Sequence, residues 1–428
     1  MSEQSIADLL ARRERLLGVG IATFYQDPVH IVRGEGVWLH DADGRRYLDL
    51  YNNVPCVGHA HPHVVEAMQR QTETLNVHSR YLHEGILDYA ERLTALHAGP
   101  LSTAVFTCSG TEANEVAIMM ARAATGGRGL ICTDAAYHGN STEVRKLSRL
   151  RSDTDKEFRS IPYPQHYRRI DDSLADDALA DAYLAQLQEQ IDAFAADGVS
   201  FAGLLLCPIL ANEGLPEIPT GFMARAADMV HEAGGLFICD EVQAGFARTG
   251  RWWGYQTSDF EPDIVSMGKP MGNGLPLGGV VAPAELVNVF REKTRYFNTF
   301  ASSPLQAAVG QAVIDVIEQE DLLTRVNQVG AHLREGLRAI QETCEPMADV
   351  RGHGLFLGLE WVKDRRTKEP DPDGADVIVN RLRHAGFLLS RAGEHGNVLK
   401  LRPPLIFERE HADLFLTAFE AVVADAPA

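Results

Sequence analysis

The chain lacks the features that mark several classes of protein. No basic tract offsets its formal net charge of −19 over 428 residues, which argues against nucleic acid or an anionic membrane as a partner. The longest apolar runs, such as 201–207, are too short to span a bilayer. The first residues lack the basic and apolar regions of a signal peptide, so we expect a cytoplasmic protein.

Paired cysteines and nucleotide-binding loops are also missing. None of the six cysteines forms a C-x-x-C pair, so we expect no metal site and reduced thiols. The glycine-rich stretches contain no Walker or dinucleotide pattern. We interpret 272–274 and 278–279 as turns, and the His59-Ala-His61 pair as part of a structural turn.

What the sequence does contain is a long alternation of helical and strand patterns. Apolar residues make up 45% of the chain and charged residues 23%, which is ordinary for a globular enzyme. Continuous apolar runs separated by helices predict an α/β fold with a mostly parallel central sheet, helices on both faces, and a smaller α+β C-terminal domain. The predicted divisions are 1–55 (a helix and a β-hairpin that join the small domain), 56–303 and 304–428.

Individual elements follow from the same patterns. The central strands are predicted at 103–107, 128–133, 201–207, 235–240 and 263–266. We interpret 140–180 as a long polar stretch, 304–342 as one long helical stretch, and 350–361 as a single strand.

Polar and small residues follow four of the predicted strands. Because the carboxyl ends of parallel strands meet at one edge of a sheet, these residues should lie together. They are Ser109, Gly110 and Thr111, then Tyr137 and His138, then Asp240, and finally Lys269. Hydroxyls and glycine at a helix N-terminus suit a phosphate, and a lysine at a strand end suits a Schiff base to pyridoxal phosphate.

Each feature also has a purely structural interpretation. The 109–112 segment could be a helix cap with a capping box, Tyr137 could pack in the core, Asp240 could cap a helix, and Lys269 could be a solvated loop lysine. Because all four features occur together in one chain, we favour the functional interpretation over the structural one.

Five motifs carry a resemblance to a known family. They are SGTEANE at 109–115, AYHG at 136–139, DEVQAGFARTG at 240–250, MGKPMGNG at 267–274 and NTF at 298–300. They resemble the class III (ω-) aminotransferases over roughly residues 25–420. The resemblance implies fold type I of the pyridoxal-phosphate enzymes and a homodimer with shared active sites.

The resemblance also implies roles at matching positions. Lys269 would form the Schiff base and shuttle protons, and Asp240 would pair with the ring nitrogen, which makes the ring an electron sink. The remaining cofactor-binding residues would be Ser109, Gly110, Thr111, Tyr137, His138, Val242, Gln243 and, from the partner subunit, Thr299.

Two positions depart from the family pattern. Many members have an arginine just before a C-terminal Pro-Pro that binds the substrate carboxylate. Here the segment is NVLKLRPP at 397–404, with Lys400 at that place and Arg402 two residues later. These side chains are not interchangeable with that arginine. Asn212 stands where related enzymes have a gating glutamate, with Glu213 next to it.

The N-terminal third resembles one subgroup, the ethanolamine-phosphate phospho-lyases, through segments such as FYQDPV at 24–29 and LNVHSRYLH at 75–83. Strand alternation places Lys400 and Arg402 on one face, where they could bind a phosphate; Arg80 and Asn53 are the further candidate substrate-binding residues. Alternatively, Arg80 and Arg402 make ordinary ion pairs.

Two reactions therefore remain open. The sequence favours transfer of an amino group from a primary amine or ω-amino acid to a keto acid such as pyruvate. The alternative is elimination of phosphate and ammonia from a phosphorylated amino alcohol such as phosphoethanolamine. A third interpretation, a cofactor-free binding protein on this fold, is disfavoured by the Asp240–Lys269 pair.

Overall fold

The computed structural model describes residues 5–148, 155–258 and 260–425. Helices α1–α11 span, in order, Ile6–Leu17, Pro62–Thr74, Glu84–Ala95, Gly110–Thr125, Asp176–Ala196, Phe222–Glu232, Ala284–Thr294, Pro304–Gln319, Leu322–Thr343, Pro372–Ala385 and Arg409–Ala424. Strands β1–β16 span, in order, Ile31–Glu35, Trp38–Asp41, Arg46–Asp49, Thr103–Thr107, Gly129–Thr133, Phe158–Ile161, Phe201–Leu206, Leu236–Asp240, Ile264–Met267, Gly278–Ala282, Met347–His353, Phe356–Asp364, Glu369–Pro370, Phe387–Leu388, Ser390–Ala392 and Val398–Leu401.

The central sheet has the strand order β4-β10-β9-β8-β7-β5-β6. Strands β9, β8, β7, β5 and β6 are parallel, and β10 is antiparallel to both β4 and β9. The predicted α/β class with a mostly parallel sheet is therefore confirmed. Helices α4 and α7 cover one face of the sheet, whereas α5 and α6 cover the other.

The prediction of a turn at 278–279 was wrong, because these glycines begin β10. A Cβ at Gly278 would lie 2.6 Å from the Thr107 hydroxyl oxygen and 2.7 Å from the Ser109 carbonyl oxygen. The strand can approach β4 this closely only without a side chain. The interpretation of 140–180 as a polar stretch was also incomplete, because the segment contains edge strand β6. Residues 149–154 of this segment lie outside the described part of the chain.

The C-terminal region differs from its prediction in two places. The segment 350–361 is not one strand but the antiparallel hairpin of β11 and β12, which turns at Gly354 with a φ of 52°. The long helix divides into α8 and α9 at Asp321, whose φ is 47°. Strand β12 is largely buried, and β11 is partly buried.

The N-terminal segment packs onto this C-terminal region. Strands β1, β2 and β3 form an antiparallel meander, and β14 pairs in parallel with β3. The neighbouring sheet has the order β11-β12-β16-β15. Strand β16 carries Lys400 and ends beside Arg402, so this sheet delivers both cations to the edge of the central sheet. The domain boundaries at 55 and 303 stay predictions.

Candidate active site

The β4–α4 turn forms a cradle at the edge of the central sheet. Ser109 is the N-cap of α4, and its hydroxyl accepts a hydrogen bond from the Glu112 amide at 3.2 Å. The cap interpretation of Ser109 is therefore correct. Ser109, Gly110 and Thr111 nevertheless line one cavity of about 220 Å³, where the helix N-terminus supplies a positive field.

Two glycines make this cradle possible. A Cβ on Gly110 would lie 2.7 Å from a Val242 methyl carbon, and a Cβ on Gly139 would lie 2.6 Å from the Thr111 hydroxyl oxygen. Gly139 also has a φ of 147°. Backbone amides can therefore reach the cavity without side chains in the way.

Asp240 is anchored at the end of β8. Its Oδ2 lies 2.6 Å from Nδ1 of His138 and accepts a hydrogen bond from the Asn114 amide at 3.0 Å. Its Oδ1 accepts the Val242 backbone N–H at 3.0 Å. The carboxylate thus faces the cavity in a fixed orientation, and His138 helps to hold it there.

Lys269 follows β9 and lines the same cavity as Asp240. Burial lowers the pKa of its amine, whereas the Asp240 charge acts in the opposite direction. A lowered pKa increases the neutral fraction of the amine, which is the form that attacks a carbonyl or removes a proton.

The walls of the cavity are aromatic and aliphatic. Tyr137, with 44% of its surface exposed, lines the cavity together with Val242. A second, more open cavity of about 560 Å³ shares Tyr137, Asn212, Gln243 and Lys269 with the first. The two cavities together form one site with a narrow and a wide part.

The wide part contains both cations that depart from the family pattern. The Gln243 side-chain oxygen accepts hydrogen bonds from Arg402 at 2.6 Å and from Lys400 at 3.2 Å. Lys400 also donates to the Ala211 carbonyl at 2.6 Å. Burial, and secondly the charge of Arg402, lowers the pKa of Lys400 well below its ordinary value. The prediction that Lys400 and Arg402 share a face is confirmed.

Neighbouring acidic residues are turned away from the cations. Glu213 is buried, and it accepts a 2.5 Å hydrogen bond from the Thr133 hydroxyl. Asn212 lines the cavity instead and accepts a 3.0 Å hydrogen bond from Gln243. Glu241 is fully buried and accepts the Gly254 and Tyr255 amides at 2.8 Å, and burial raises its pKa to about 7.

Two predicted substrate-binding residues, Arg80 and Asn53, lie elsewhere, and Thr299, which was predicted to reach the partner's site, lies outside the cavities of its own chain. Of the residues that the structure describes, those lining the two cavities do not include Arg80, Asn53 or Thr299. The Arg80 guanidinium carbon lies 4.1 Å from the centroid of the Phe297 ring, near the exposed Thr299. Asn53 is buried, and its amide nitrogen has no hydrogen-bond partner among the described residues.

Several residues at the site escaped the sequence interpretation. Asn114 holds Asp240, and its own oxygen accepts a hydrogen bond from Ser266. Its spacing of four residues from Gly110 on α4 was a usable signal, because it turns the amide toward the strand ends. Tyr51, whose backbone carbonyl and ring both contact Arg402, gave no such signal because the two residues are far apart in the sequence.

The residues present fit pyridoxal phosphate. The narrow cavity is lined by a helix N-terminus with two hydroxyl residues and by the anchored Asp240 carboxylate. An aromatic side chain and a valine form the walls, and a lysine of lowered pKa lies beside them. This donor set matches a ring that carries a phosphate, a basic nitrogen and an aldehyde.

Fold and site thus define an α/β enzyme with a buried lysine in a cavity that suits a phosphate-bearing ring cofactor. The chain belongs to the class-III aminotransferase family, whose model matches residues 22–423. It is 38% identical to the alanine–glyoxylate aminotransferase 2-like protein of Drosophila melanogaster over 98% of this chain and 87% of that protein. It is 34% identical to ethanolamine-phosphate phospho-lyase homolog 1 of Caenorhabditis elegans, over 98% and 94% of the two chains.

Solved structures agree with this assignment. A phospholyase from Arthrobacter in complex with phosphoethanolamine superposes with a TM-score of 0.94 at 41% identity, covering 98% of this chain and all of that one. An amine transaminase from an uncultivated Pseudomonas species, solved with pyridoxal phosphate bound, has a TM-score of 0.86 at 29% identity over 94% and 96% of the chains. The cofactor of this enzyme is therefore pyridoxal phosphate.

Neither a metal-binding cluster nor a membrane-spanning helix is found in residues 5–148, 155–258 and 260–425. In that part of the chain, no group of three or more His, Cys, Asp or Glu side chains is arranged to hold a metal ion. Likewise, none of the helices described is long and apolar enough to cross a membrane. Two relatives have mitochondrial in their names, and the cytoplasmic location of this protein stays a prediction.

Proposed function

We propose that this enzyme eliminates phosphate and ammonia from a phosphorylated amino alcohol such as phosphoethanolamine. The observation that carries the proposal is the convergence of Lys400 and Arg402 on one oxygen of Gln243, in the cavity that also contains Lys269. Burial and Arg402 disfavour the charged form of Lys400, and the dianion of a phosphate monoester would stabilise the charged forms of both side chains. The Arthrobacter phospholyase solved with phosphoethanolamine supports the same substrate class.

When bound, pyridoxal phosphate withdraws the electron pair that remains after a proton leaves the amine-bearing carbon. In the proposed arrangement, Ser109, Gly110 and Thr111 hold the cofactor phosphate. Asp240, held by His138 and Asn114, pairs with the ring nitrogen. Tyr137 and Val242 confine the ring, and Gln243 lies at its polar edge.

Lys269 is the proposed base. Its amine removes the proton from the carbon that carries the substrate nitrogen. The bond between the adjacent carbon and the ester oxygen then breaks, and phosphate leaves with the bonding electrons. Lys400 and Arg402 stabilise the charge that grows on that oxygen. With one water, phosphoethanolamine becomes acetaldehyde, ammonia and phosphate, so the reaction needs no keto acid.

Transamination remains the second candidate. It needs the same base and the same ring partner, and the alanine–glyoxylate aminotransferase 2-like relative from Drosophila favours it. The sequence alone placed transamination first, because most family members were expected to transaminate. We reverse that order because the buried pair of cations suits a dianion better than a single carboxylate.

We further propose a homodimer in which Thr299 and Arg80 complete the partner's site. Both lie on one surface, outside the cavity of their own chain. That surface exposes large apolar side chains: Leu82 is fully exposed, Phe300 77% exposed and Tyr81 64% exposed. Exposed apolar surface of this kind is typical of a protein interface.

The test uses the purified holoenzyme with phosphoethanolamine and no keto acid. We expect continuous release of phosphate and acetaldehyde, and a much lower rate with unphosphorylated ethanolamine. Lys269→Ala should lower the rate of phosphate release by roughly a thousandfold or more, because general base catalysis is lost. Lys363→Ala, which changes an exposed lysine paired with Glu369, is the matched control. In a second assay that contains pyruvate, conversion of pyruvate to alanine without phosphate release would instead establish the aminotransferase.

A further inference from the structure

The position of Arg402 is set by a turn of the N-terminal segment. Its backbone N–H donates to the Leu50 carbonyl at 2.9 Å, and its Nε donates to the Tyr51 carbonyl at 2.6 Å. Its guanidinium carbon lies 4.4 Å from the centroid of the Tyr51 ring. Any shift of this turn therefore changes where the guanidinium presents its remaining N–H groups to an anion.

A buried aspartate organises the turn. Asp49 is the last residue of β3 and is fully buried. Its Oδ1 accepts the backbone N–H groups of Tyr51 and Asn52, each at 2.9 Å, and its Oδ2 accepts the Asn52 side-chain amide at 3.0 Å. An aspartate that binds the amides two and three residues ahead fixes the turn that follows it.

A histidine completes the shell around Asp49. Nε2 of His59 lies 2.7 Å from Oδ2 of Asp49, and only 15% of the His59 side chain is exposed. An ionised carboxylate only accepts hydrogen bonds, so Nε2 carries the proton that is donated. The His59 backbone pairs with Gly36 in both directions, at 2.8 and 2.9 Å. A Cβ on Gly34 would lie 2.9 Å from the His59 Cβ, so glycine there lets the histidine approach.

We propose that His59 and Asp49 form a positioning relay that fixes the Tyr51 turn and thereby aims Arg402 at the phosphate group of the substrate. This inference rests on the proposed function, because it assigns Arg402 to an anionic group. Neither relay residue touches the reacting atoms. The relay acts through contacts of 2.6–2.9 Å from His59 to Asp49, from Asp49 to Tyr51 and from Tyr51 to Arg402.

His61 provides a matched control on the same turn. Its Nε2 lies 3.1 Å from Glu320, a side chain that is 36% exposed and belongs to the C-terminal region. His61 therefore makes a similar ion-pair contact that leads away from Arg402. A general disturbance of the 58–62 turn should affect His61 and His59 variants alike, whereas loss of the relay should affect only His59.

The experiment compares holoenzyme variants with phosphoethanolamine as substrate. His59→Leu removes the donor, and we expect KM to rise roughly ten- to a hundredfold, with kcat changed far less. His59→Gln keeps a donor and should recover most of the affinity. Asp49→Asn keeps an acceptor for the turn amides but places an N–H group against His59, so KM should rise here too. His61→Leu should behave as wild type.

Direct binding of inorganic phosphate separates this inference from the proposed function. If the wild-type enzyme binds phosphate but does not release it from phosphoethanolamine, the proposed function fails while the relay is still judged by the phosphate dissociation constant. That constant should rise for His59→Leu and Asp49→Asn only. The relay is overturned if both variants bind phosphate as wild type does, if His61→Leu weakens it equally, or if wild type does not bind it.

Discussion

At the residue scale, the main finding is a division of work between one lysine and two further cations. Lys269 and Asp240 line the narrow cavity, and the proposed chemistry at the amine-bearing carbon rests on them. Lys400 and Arg402 lie in the wide cavity and meet at Gln243. Because they are buried without an acidic partner in that cavity, their arrangement costs stability that a bound anion would restore.

This cost leads to a prediction for Lys400→Met. Removing a buried ammonium should raise the midpoint of thermal unfolding of the enzyme without substrate, or leave it unchanged, because burial already lowers the pKa of Lys400. The same change should raise KM for phosphoethanolamine by roughly tenfold or more, since one charged hydrogen bond to the anion is lost. Calorimetry and initial rates measure the two effects.

Lys400→Arg serves as the control because it keeps the positive charge. It should retain part of the affinity that the methionine variant loses. A methionine variant that is less stable than wild type, yet binds the substrate equally well, would show that Lys400 is a structural residue and not a substrate contact.

At the scale of elements, the contact between the first residue of α4, Gly110, and Val242, two residues after β8, controls the shape of the narrow cavity. Gly110→Ala would place a methyl group within 2.7 Å of Val242, a stiff β-branched side chain. We expect cofactor affinity to fall by about tenfold as the valine is displaced. Titration of the apoenzyme with pyridoxal phosphate measures this change.

The double variant Gly110→Ala with Val242→Ala tests the cause. It should bind the cofactor better than Gly110→Ala alone, because the smaller side chain leaves room for the new methyl group. If the losses of cofactor affinity caused by the two substitutions simply add, the effect of Gly110→Ala does not come from its contact with Val242. It would then come from another cause, for example the amide geometry of the cradle.

The α3–β4 connection predicts a pH dependence of stability. His97 stacks on Trp253 with ring centroids 4.0 Å apart, and burial lowers its pKa to about 3. The unfolded chain binds the proton near pH 6.5, so the contribution of neutral His97 is fully present above that pH and is lost as the pH falls from 6.5 toward 3. At pH 5 the loss is at most about 2 kcal/mol.

His97→Phe should remove this dependence while it keeps the aromatic stack. Nε2 of His97 is buried with no hydrogen-bond partner among the described residues, so phenylalanine replaces this unpaired nitrogen with an apolar carbon. Denaturant unfolding of both proteins between pH 8 and pH 5 measures the difference. Parallel curves over this range would contradict the buried neutral histidine.

The elements also show what the sequence could and could not predict. Strands β4, β5, β8 and β9 and the residues at their ends followed from apolar runs that stop at polar residues. Strand β10 did not, because its first two residues are glycines, and the first, Gly278, lies too close to Thr107 and Ser109 to carry a Cβ. The β11–β12 hairpin was missed because the apolar residues on either side of the turn suggest one continuous strand, although Gly352 and Gly354, with φ of 117° and 52°, mark the reversal. The Gln243 network depends on contacts between distant segments, which no local pattern contains.

At the scale of the whole molecule, the proposed dimer gives a prediction that a single chain cannot satisfy. Lys269→Ala lacks the base, and Arg80→Ala lacks a residue that we assign to the partner's site. Each variant alone should be nearly inactive. After joint unfolding and refolding, roughly a quarter of the sites should be intact, because half of the randomly paired dimers are hybrids with one complete site each. Recovery of activity on mixing measures this.

A mixture that stays inactive, despite exchange of subunits shown by differently tagged chains, would contradict shared sites. If Arg80→Ala is fully active by itself, Arg80 does not belong to the partner's site, and Thr299 is the remaining residue to test.

The central claim is that Lys269 and the pair of cations act on one phosphorylated amine. The most direct measurement counts phosphate released per active site when holoenzyme free of keto acids is given an excess of phosphoethanolamine. The account predicts many phosphates per site, with equal acetaldehyde and ammonia, and no increase when pyruvate is added. Phosphate release that stays at zero, while pyruvate is converted to alanine with another amine donor, would contradict it.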